Sequence, residues 1–406
     1  MPLKFIGLLI ALALAVVLLL EASARVAFTL YAGGALQINS IRESESFYFT
    51  SDVGWDRRPK FAGKDSCGAY RAFDEKGILS VDAEQLRNKS PGTHTVAFVG
   101  DSNTYGYCLD TPSTFVEVFD RLTPDTVAVN LGMSGYSSYQ GYRALLKYGD
   151  LIKPEIVVIA FNFNDRRYAR QPDGDAAFRL LDGISQTPAF ADRIYLVRAV
   201  RSLGKKLGFI AAAGEAQDAA PRRIDEIPPR VSPQDYRANL VKMVEWTKQR
   251  NGTPIFVLMG DNPAHTTLVN LGASALAQRD YEKAIRYLTY AMVRPKTMME
   301  VVARQHLAKA YKELGQEGKA DETLRMTFNF GGWTDGGVPL FPDTDYNKIM
   351  LDVANAHGIT VVDAKSELEK TPRVFFDTVH FDQEGHETVG RMLRDTLIKL
   401  DNKKRL

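Results

Sequence analysis

The chain has 406 residues, room for one large domain with insertions or for two domains. With 45% hydrophobic and 25% charged residues its composition is that of an ordinary globular protein with material for a core. A formal net charge of +2 gives no electrostatic footprint for nucleic acid, and two cysteines without Cys-x-x-Cys spacing argue against a zinc site, so neither metal nor cofactor is expected.

Residues 1–36 read as a membrane-directed leader. Phe5 to Leu20 carries no charge, with Lys4 before it and Glu21 after it. As a helix this run spans about 24 Å, short of a hydrocarbon core of about 30 Å. Lys4 and Arg25 can snorkel, and the apolar run resumes at Val26-Ala27-Phe28-Thr29-Leu30. Two readings stand: a signal peptide cleaved at the small-x-small site Ala22-Ser23-Ala24, or an uncleaved anchor. Cleavage would leave a mature terminus opening on a sticky apolar stretch, which favours the anchor. Both export the remainder, and Lys4 at the amino terminus places it on the extracytoplasmic (periplasmic) side of the inner membrane in a single pass. In that oxidising compartment Cys67 and Cys108 fit a disulfide and a pair of buried free thiols equally well.

Residues 37–94 are rich in charge, glycine and aromatics without sustained periodicity, and read as packed loops around Val53-Gly54-Trp55 and Cys67-Gly68-Ala69-Tyr70-Arg71. From Thr95 apolar strands alternate with helices. Strands are expected at Thr95–Val99, Thr126–Leu131, Glu155–Phe161, Thr253–Met259 and Thr360–Asp363. Helices are expected near Ser113–Leu122, Tyr139–Leu151, from Ser232-Pro233 to Arg250, at Tyr346–His357 and at Gln383–Leu400. Such alternation implies a parallel sheet with helices on both faces.

Two stretches break the rhythm. Arg166 to Pro233 reads as a long excursion over the sheet edge. Residues 264–327 carry Leu271-Gly272-x-x-Ala275, Asp280-Tyr281-x-x-Ala284 and Ala291, echoed by Leu307-Ala308-x-x-Tyr311, Gly315, Ala320 and Leu324. The Ala284-to-Ala320 offset is close to the tetratricopeptide period of about 34. An ordinary helical hairpin with small residues at its crossings reads almost as well, and either suits a protein partner better than chemistry.

The chemistry begins at Val96-Ala97-Phe98-Val99-Gly100-Asp101-Ser102-Asn103, a buried strand that stops at a glycine and presents a serine at the carboxyl edge of the sheet. Of six histidines only His380 has an acid, Asp377, three positions before it, giving the order Ser…Asp…His. His386, one turn into the last helix, is expected to make a structural hydrogen bond. The third strand runs into Asn162-Phe163-Asn164-Asp165, and an amide donor beside Ser102 can stabilise an oxyanion. Asn130-Leu131-Gly132 ends the second strand, where a glycine lets a backbone N–H approach a ligand.

These blocks resemble the SGNH branch of the GDSL hydrolases over roughly Thr95–Asp165, Ser232–Met259 and Tyr346–Leu400. The resemblance implies a flavodoxin-like three-layer α/β/α fold in two parts, residues 95–263 and 328–406, around the helical insertion. It implies Ser102 as nucleophile, His380 as base and Asp377 as its orienting acid, with Ser102 N–H, Gly132 N–H and the Asn164 amide as oxyanion donors. Asn103 and Asn162 depart from the family pattern, which has an apolar residue and a glycine there. The implied activity is ester hydrolysis through an acyl-enzyme, on an acylated carbohydrate or a lipid ester, most plausibly O-acetyl groups of an exported envelope glycan. Transfer of an acyl group from a membrane partner, and a non-catalytic assembly role for the insertion, remain alternatives.

Overall fold

The computed structural model describes residues 16–21, 23, 46–65, 67–78, 90, 92–167, 172–175, 177–179, 222–223, 229–293, 299–326, 346–377 and 379–405. Residues 16–21 are helical; the rest of the expected anchor, and most of the Arg166–Pro233 excursion, lie outside the described residues. Among the described residues no helix is long and apolar enough to cross a membrane.

Five strands form the central sheet: β5 (His94–Gly100), β6 (Thr126–Asn130), β7 (Ile156–Ala160), β9 (Thr253–Val257) and β11 (Thr360–Val362), in the order β11-β9-β7-β5-β6. All four pairings are parallel. This is the flavodoxin-like order, and chain direction across the sheet reverses between β5 and β7, the crevice where open α/β sheets place ligands. Parallel pairing requires each strand to be covered on both faces. Helices supply that cover: α2 (Phe115–Leu122), α3 (Ser138–Ile152), α4 (Pro233–Lys248), α9 (Tyr346–His357), α10 (Ala364–Glu369) and α11 (Gln383–Arg405), with the four-residue α1 (Ser102–Tyr105) directly after β5.

Alternation along the strands decides which side each residue feeds. Val96 and Phe98 of β5, Val158 and Ala160 of β7, and Ile255 and Val257 of β9 join Phe115, Phe119, Val389 and Leu393 in one buried cluster between the sheet and helices α2 and α11. Phe98 meets Phe115 and Phe119 edge-on at 6.0 and 5.2 Å, and burying such a ring contributes about 1.5–3 kcal/mol.

The helix starts follow ordinary capping chemistry. Ser137 and Gln140 form a capping box on α3, and Ser232 caps α4 with Pro233 in its first turn. At α2 Thr114 caps locally, and a further first-turn donor is met from 271 residues away: Phe115 N–H donates to His386 Nδ1 at 2.9 Å. His386 is the structural histidine expected from its position.

Four further helices, α5 (Pro263–Ala277), α6 (Tyr281–Val293), α7 (Met299–Glu313) and α8 (Glu317–Leu324), interrupt the α/β succession between β9 and α9. Each packs on the next, α5 to α7 around Ala275, Ala284, Leu288, Ala303, Leu307 and Ala310, and α8 on α7 through Ala308, Ala320 and Leu324. A two-residue pair, β8 (Arg222–Arg223) with β10 (Arg325–Met326), lies beside them.

The region expected to be loops is more regular than its sequence suggests. It forms two antiparallel hairpins, β1 (Phe47–Thr50) with β2 (Gly54–Arg57) and β3 (Ala62–Lys64) with β4 (Tyr70–Ala72). Strands of three and four residues are too short for alternation to register against their turns. Cys67 and Cys108 form a disulfide with 5.1 Å between Cα atoms, which decides between the two open readings.

Burial, together with the positive surroundings of His380 and Arg71, drives the His386 pKa down from 6.5 to about 3. The folded protein therefore holds His386 neutral where the unfolded chain takes up a proton, and stability drains away as pH falls from about 6.5 towards about 3. The limiting slope is roughly 1.4 kcal/mol per pH unit. Urea denaturation from pH 7.5 to 4.5 should show this acid loss in the parent, and a slope lower by about that amount in His386→Asn.

Candidate active site

Strand β5 ends at Gly100, and Asp101 caps the helix that follows: its carboxylate accepts from Asn103 N–H at 3.0 Å. Ser102 is thereby the first residue of α1, at the carboxyl edge of a central strand. The helix closes after one turn at Gly106, which takes a left-handed conformation (φ 81°) and returns its N–H to the Ser102 and Asn103 carbonyls. A side chain there would also meet Thr114 at 2.2 Å, so both backbone and space demand glycine.

The partner loop comes from the far end of the chain. Phe375 and Phe381 pair as an isolated antiparallel bridge and Phe376 N–H donates to the His380 carbonyl, which brings the flanks of Asp377 and His380 side by side. Within it one Asp377 oxygen accepts from the Val379 and His380 N–H groups at 2.8 and 2.7 Å, and the other lies 2.6 Å from His380 Nδ1. His380 Nε2 stands 2.8 Å from Ser102 Oγ. With a carboxylate facing it, Nδ1 carries the ring proton, leaving the Nε2 lone pair to accept from the serine hydroxyl. Burial opposes charge on Asp377, but the His380 bonds outweigh it and hold the carboxyl below its usual range. The imidazole also lies against Tyr107 and Phe376, with ring centroids 4.4 and 5.9 Å away. Ser102 is buried, at 7% exposure. Ser102, Asp377 and His380 are thus in one hydrogen-bonded line.

Asn164 follows β7 closely. Its Oδ1 accepts from Arg167 and one Nδ2 hydrogen goes to the Tyr136 carbonyl at 3.0 Å, which fixes the amide and leaves its second N–H unused by these contacts. Asn162 does not face the site: its Nδ2 donates to the Met259 carbonyl at 2.9 Å, tying the end of β7 to the end of β9.

The expectation for Gly132 is corrected by the structure. Its N–H donates to Asn130 Oδ1 at 2.9 Å, while Asn130 Nδ2 donates to the Thr104 carbonyl. A buried N–H already bonded this way is not a free oxyanion donor. What requires glycine is contact: a Cβ at Gly132 would stand 2.7 Å from Thr104 Cβ and from Tyr105 N in α1. The signal was legible, because Asn-x-Gly invites the asparagine side chain to bond the N–H two residues on. The next glycine differs. Met133–Tyr136 is a turn closed by Tyr136 N–H to the Met133 carbonyl, with Gly135 at φ 80°. Trp55 Nε1 donates to the Ser134 carbonyl, and in a trans peptide the Gly135 N–H points the opposite way. That N–H has no partner among the described residues.

Two buried arginines brace the site from the amino-terminal hairpins. Arg57 Nη2 donates to the Leu131 and Gly132 carbonyls, and Arg71 Nη2 to the Gly106 carbonyl while its Nε pairs with Asp65 at 3.1 Å. Arg71 also covers the Tyr105 ring at 4.4 Å. No periodic pattern in the sequence marks either arginine. Asp165 is buried behind Asn164 and accepts from the Ser138 N–H and hydroxyl at the start of α3; burial, partly offset by Ser138, pushes its pKa up to about 7.

Comparison with known proteins gives a consistent family. The model of the GDSL-like lipase/acylhydrolase family matches residues 98–388. No curated protein matches the chain. Among solved structures it is similar to a lipase/acylhydrolase from Enterococcus faecalis, at 14% identity over 75% of this chain and 95% of that one, TM-score 0.36. It is also similar to Axe2, an acetylxylan esterase from Geobacillus stearothermophilus, at 15% identity over 74% and 93%, TM-score 0.35. A GDSL-like lipase from Bacteroides thetaiotaomicron matches at 13% identity over 78% and 96%, TM-score 0.33.

Gly132→Ala separates contact from hydrogen bonding, since alanine keeps the N–H. The new methyl pushes on the backbone of α1, so a stability loss of about 1–3 kcal/mol is expected. Displacement of Ser102 should also slow ester turnover per folded molecule, read from urea titration and steady-state rates on the same preparation.

Proposed function

The chain belongs to the GDSL-like lipase/acylhydrolase family, and from that premise we propose that it is a serine esterase acting on O-acyl esters, with O-acetyl groups of an exported or cell-envelope glycan as its substrate. The observation that carries the reading is the unbroken line Ser102 Oγ, His380 Nε2, His380 Nδ1, Asp377 Oδ2 at 2.8 and 2.6 Å. Ser102 attacks the ester carbonyl while His380 takes its proton, and Asp377 keeps the imidazole in the right tautomer and balances the imidazolium. The tetrahedral oxyanion is held by Ser102 N–H, the unused Asn164 N–H and Gly135 N–H, the last in place of Gly132. His380 then returns the proton to the leaving alcohol, and water, activated by the same imidazole, releases the acid.

The apolar leader sequence and the Cys67–Cys108 disulfide favour an exported enzyme, held at the outer face of the cytoplasmic membrane by residues 1–36. If water is excluded, the same acyl-enzyme passes its group to a sugar hydroxyl, which is the transferase alternative. Helices α5–α8, with their tetratricopeptide-like spacing, are the element suited to an envelope protein partner.

The test is acetate release from p-nitrophenyl acetate and from acetylated oligosaccharides by the full chain in detergent, beside Ser102→Ala. Ser102-dependent release is expected. Asn164→Ala should lower kcat by about 10²–10³, the usual loss for one oxyanion donor. Equal release by parent and Ser102→Ala would end the proposal.

A further inference from the structure

The catalytic line depends on the loop that carries Asp377 and His380 standing in register with Ser102, which is held at the start of α1. Every hydrogen bond that places Asp377 against His380 lies inside residues 375–381, so that pair is internally fixed. Those bonds do not set where the pair stands relative to Ser102. One bond from outside reaches the Asp377 main chain: Asn262 Nδ2 donates to the Asp377 carbonyl at 3.1 Å. Asn262 is buried, at 4% exposure.

Asn262 ends a five-residue loop, residues 258–262, that leaves the carboxyl end of β9 and runs into α5 at Pro263. The same loop is tied to the segment after β7 that carries Asn164. Asn162 Nδ2 donates to the Met259 carbonyl, Asn347 Nδ2 donates to the same carbonyl at 2.8 Å, and Arg166 pairs with Asp261. The loop is therefore bonded both to the segment that carries Asn164 and to the loop that carries the base. Gly260 permits this close course, since a Cβ there would stand 2.9 Å from Lys365 Cγ and 3.3 Å from its Cα.

Resting on the esterase reading above, we infer that Asn262 is a positioning residue: its N–H to the Asp377 carbonyl registers the Asp377–His380 pair against Ser102. Asn262 touches neither the substrate nor the reacting atoms. It acts by keeping His380 Nε2 within hydrogen-bond reach of Ser102 Oγ, and a misplacement of about 1 Å there costs on the order of 10²-fold in rate.

Three full-chain variants test it. Asn262→Ala removes the side chain, Asn262→Asp keeps its shape but has no N–H to give, and Asn262→His restores a donor near the same point. The readouts are kcat and KM for p-nitrophenyl acetate, the pH profile of kcat/KM, the rate of Ser102 modification by a fluorophosphonate, and the melting temperature. Alanine and aspartate variants should lose about 10²-fold in kcat and in Ser102 modification rate, with KM unchanged and full labelling eventually reached. The acid limb of the Asn262→Ala profile should stay where the parent has it, because the Asp377–His380 bonds lie within their own loop. Asn262→His should recover part of the rate. Parent-like kcat in Asn262→Asp, or losses that follow melting temperature with no recovery in Asn262→His, would overturn the inference. Absence of Ser102-dependent turnover in the parent would overturn the esterase reading and this inference with it; normal parent turnover with an indifferent Asn262→Asp overturns this inference alone.

Discussion

A 2.8 Å hydrogen bond joins Ser102 to a histidine 278 residues further along the chain, and much of the architecture serves to keep it short. Proton transfer across such a contact tolerates displacement of only tenths of an ångström. One end is fixed by a central strand, a carboxylate cap and a left-handed glycine within seven residues. The other end is a loop, and loops acquire fixed positions only through bonds to rigid neighbours. Here those bonds are largely side-chain amides acting on main-chain carbonyls: Asn130 on Thr104, Asn164 on Tyr136, Asn162 and Asn347 on Met259, Asn262 on Asp377. Each lies at or near the carboxyl end of a strand, so the edge that holds the chemistry is laced across its width. An asparagine suits the task because it donates without charge, and a buried amide is stable only where its hydrogen bonds are made.

The amino-terminal hairpins extend the same logic with charge. A guanidinium taken out of water is expensive, and it becomes tolerable only when fixed acceptors replace its hydration. Arg57 and Arg71 are both fully buried, and beside the Asp65 carboxylate that Arg71 meets, one nitrogen of each donates to carbonyls of the turns that frame Ser102. The Cys67–Cys108 bond fastens the second hairpin to the segment just beyond α1, so the brace and the braced element share a covalent link. These hairpins form part of the support of the nucleophile, although no strand of theirs enters the main sheet.

How much of this was legible follows from which forces act locally. Short, β-branched apolar runs such as Ile156–Ala160, bounded by Pro154 and Asn162, read as strands buried on both faces, and the sheet, its helices and the serine turn are readable from them. The order Ser102, Asp377, His380 was readable because few histidines compete. The hairpins at 47–72 were not, since strands this short leave no periodic trace. Gly132 was misjudged for a local reason: a glycine after a strand signals close approach, but not whether the neighbour is a ligand or, as here, the backbone of α1. The lacing amides were invisible for a different reason. Asn262 and Asn347 meet Asp377 and Met259 across 115 and 88 residues, and only the assembled sheet brings them together.

The same edge concentrates buried charge, and its signs are complementary to the proposed chemistry. Burial raises Asp101 to about 6, against opposing pulls from the Asn103 N–H and from a positive His380. Above that pH a second carboxylate therefore stands behind Ser102, in addition to Asp377 at the far side of the ring. A developing imidazolium would be held between two anions, which favours the charge as it forms. His386, the other imidazole nearby, is kept neutral by its burial and by its bond from Phe115, so it adds no competing positive charge. Asp101 thus joins two levels of the structure: as a cap it shapes the first turn of α1, and as an anion it favours the charge that forms when Ser102 gives up its proton.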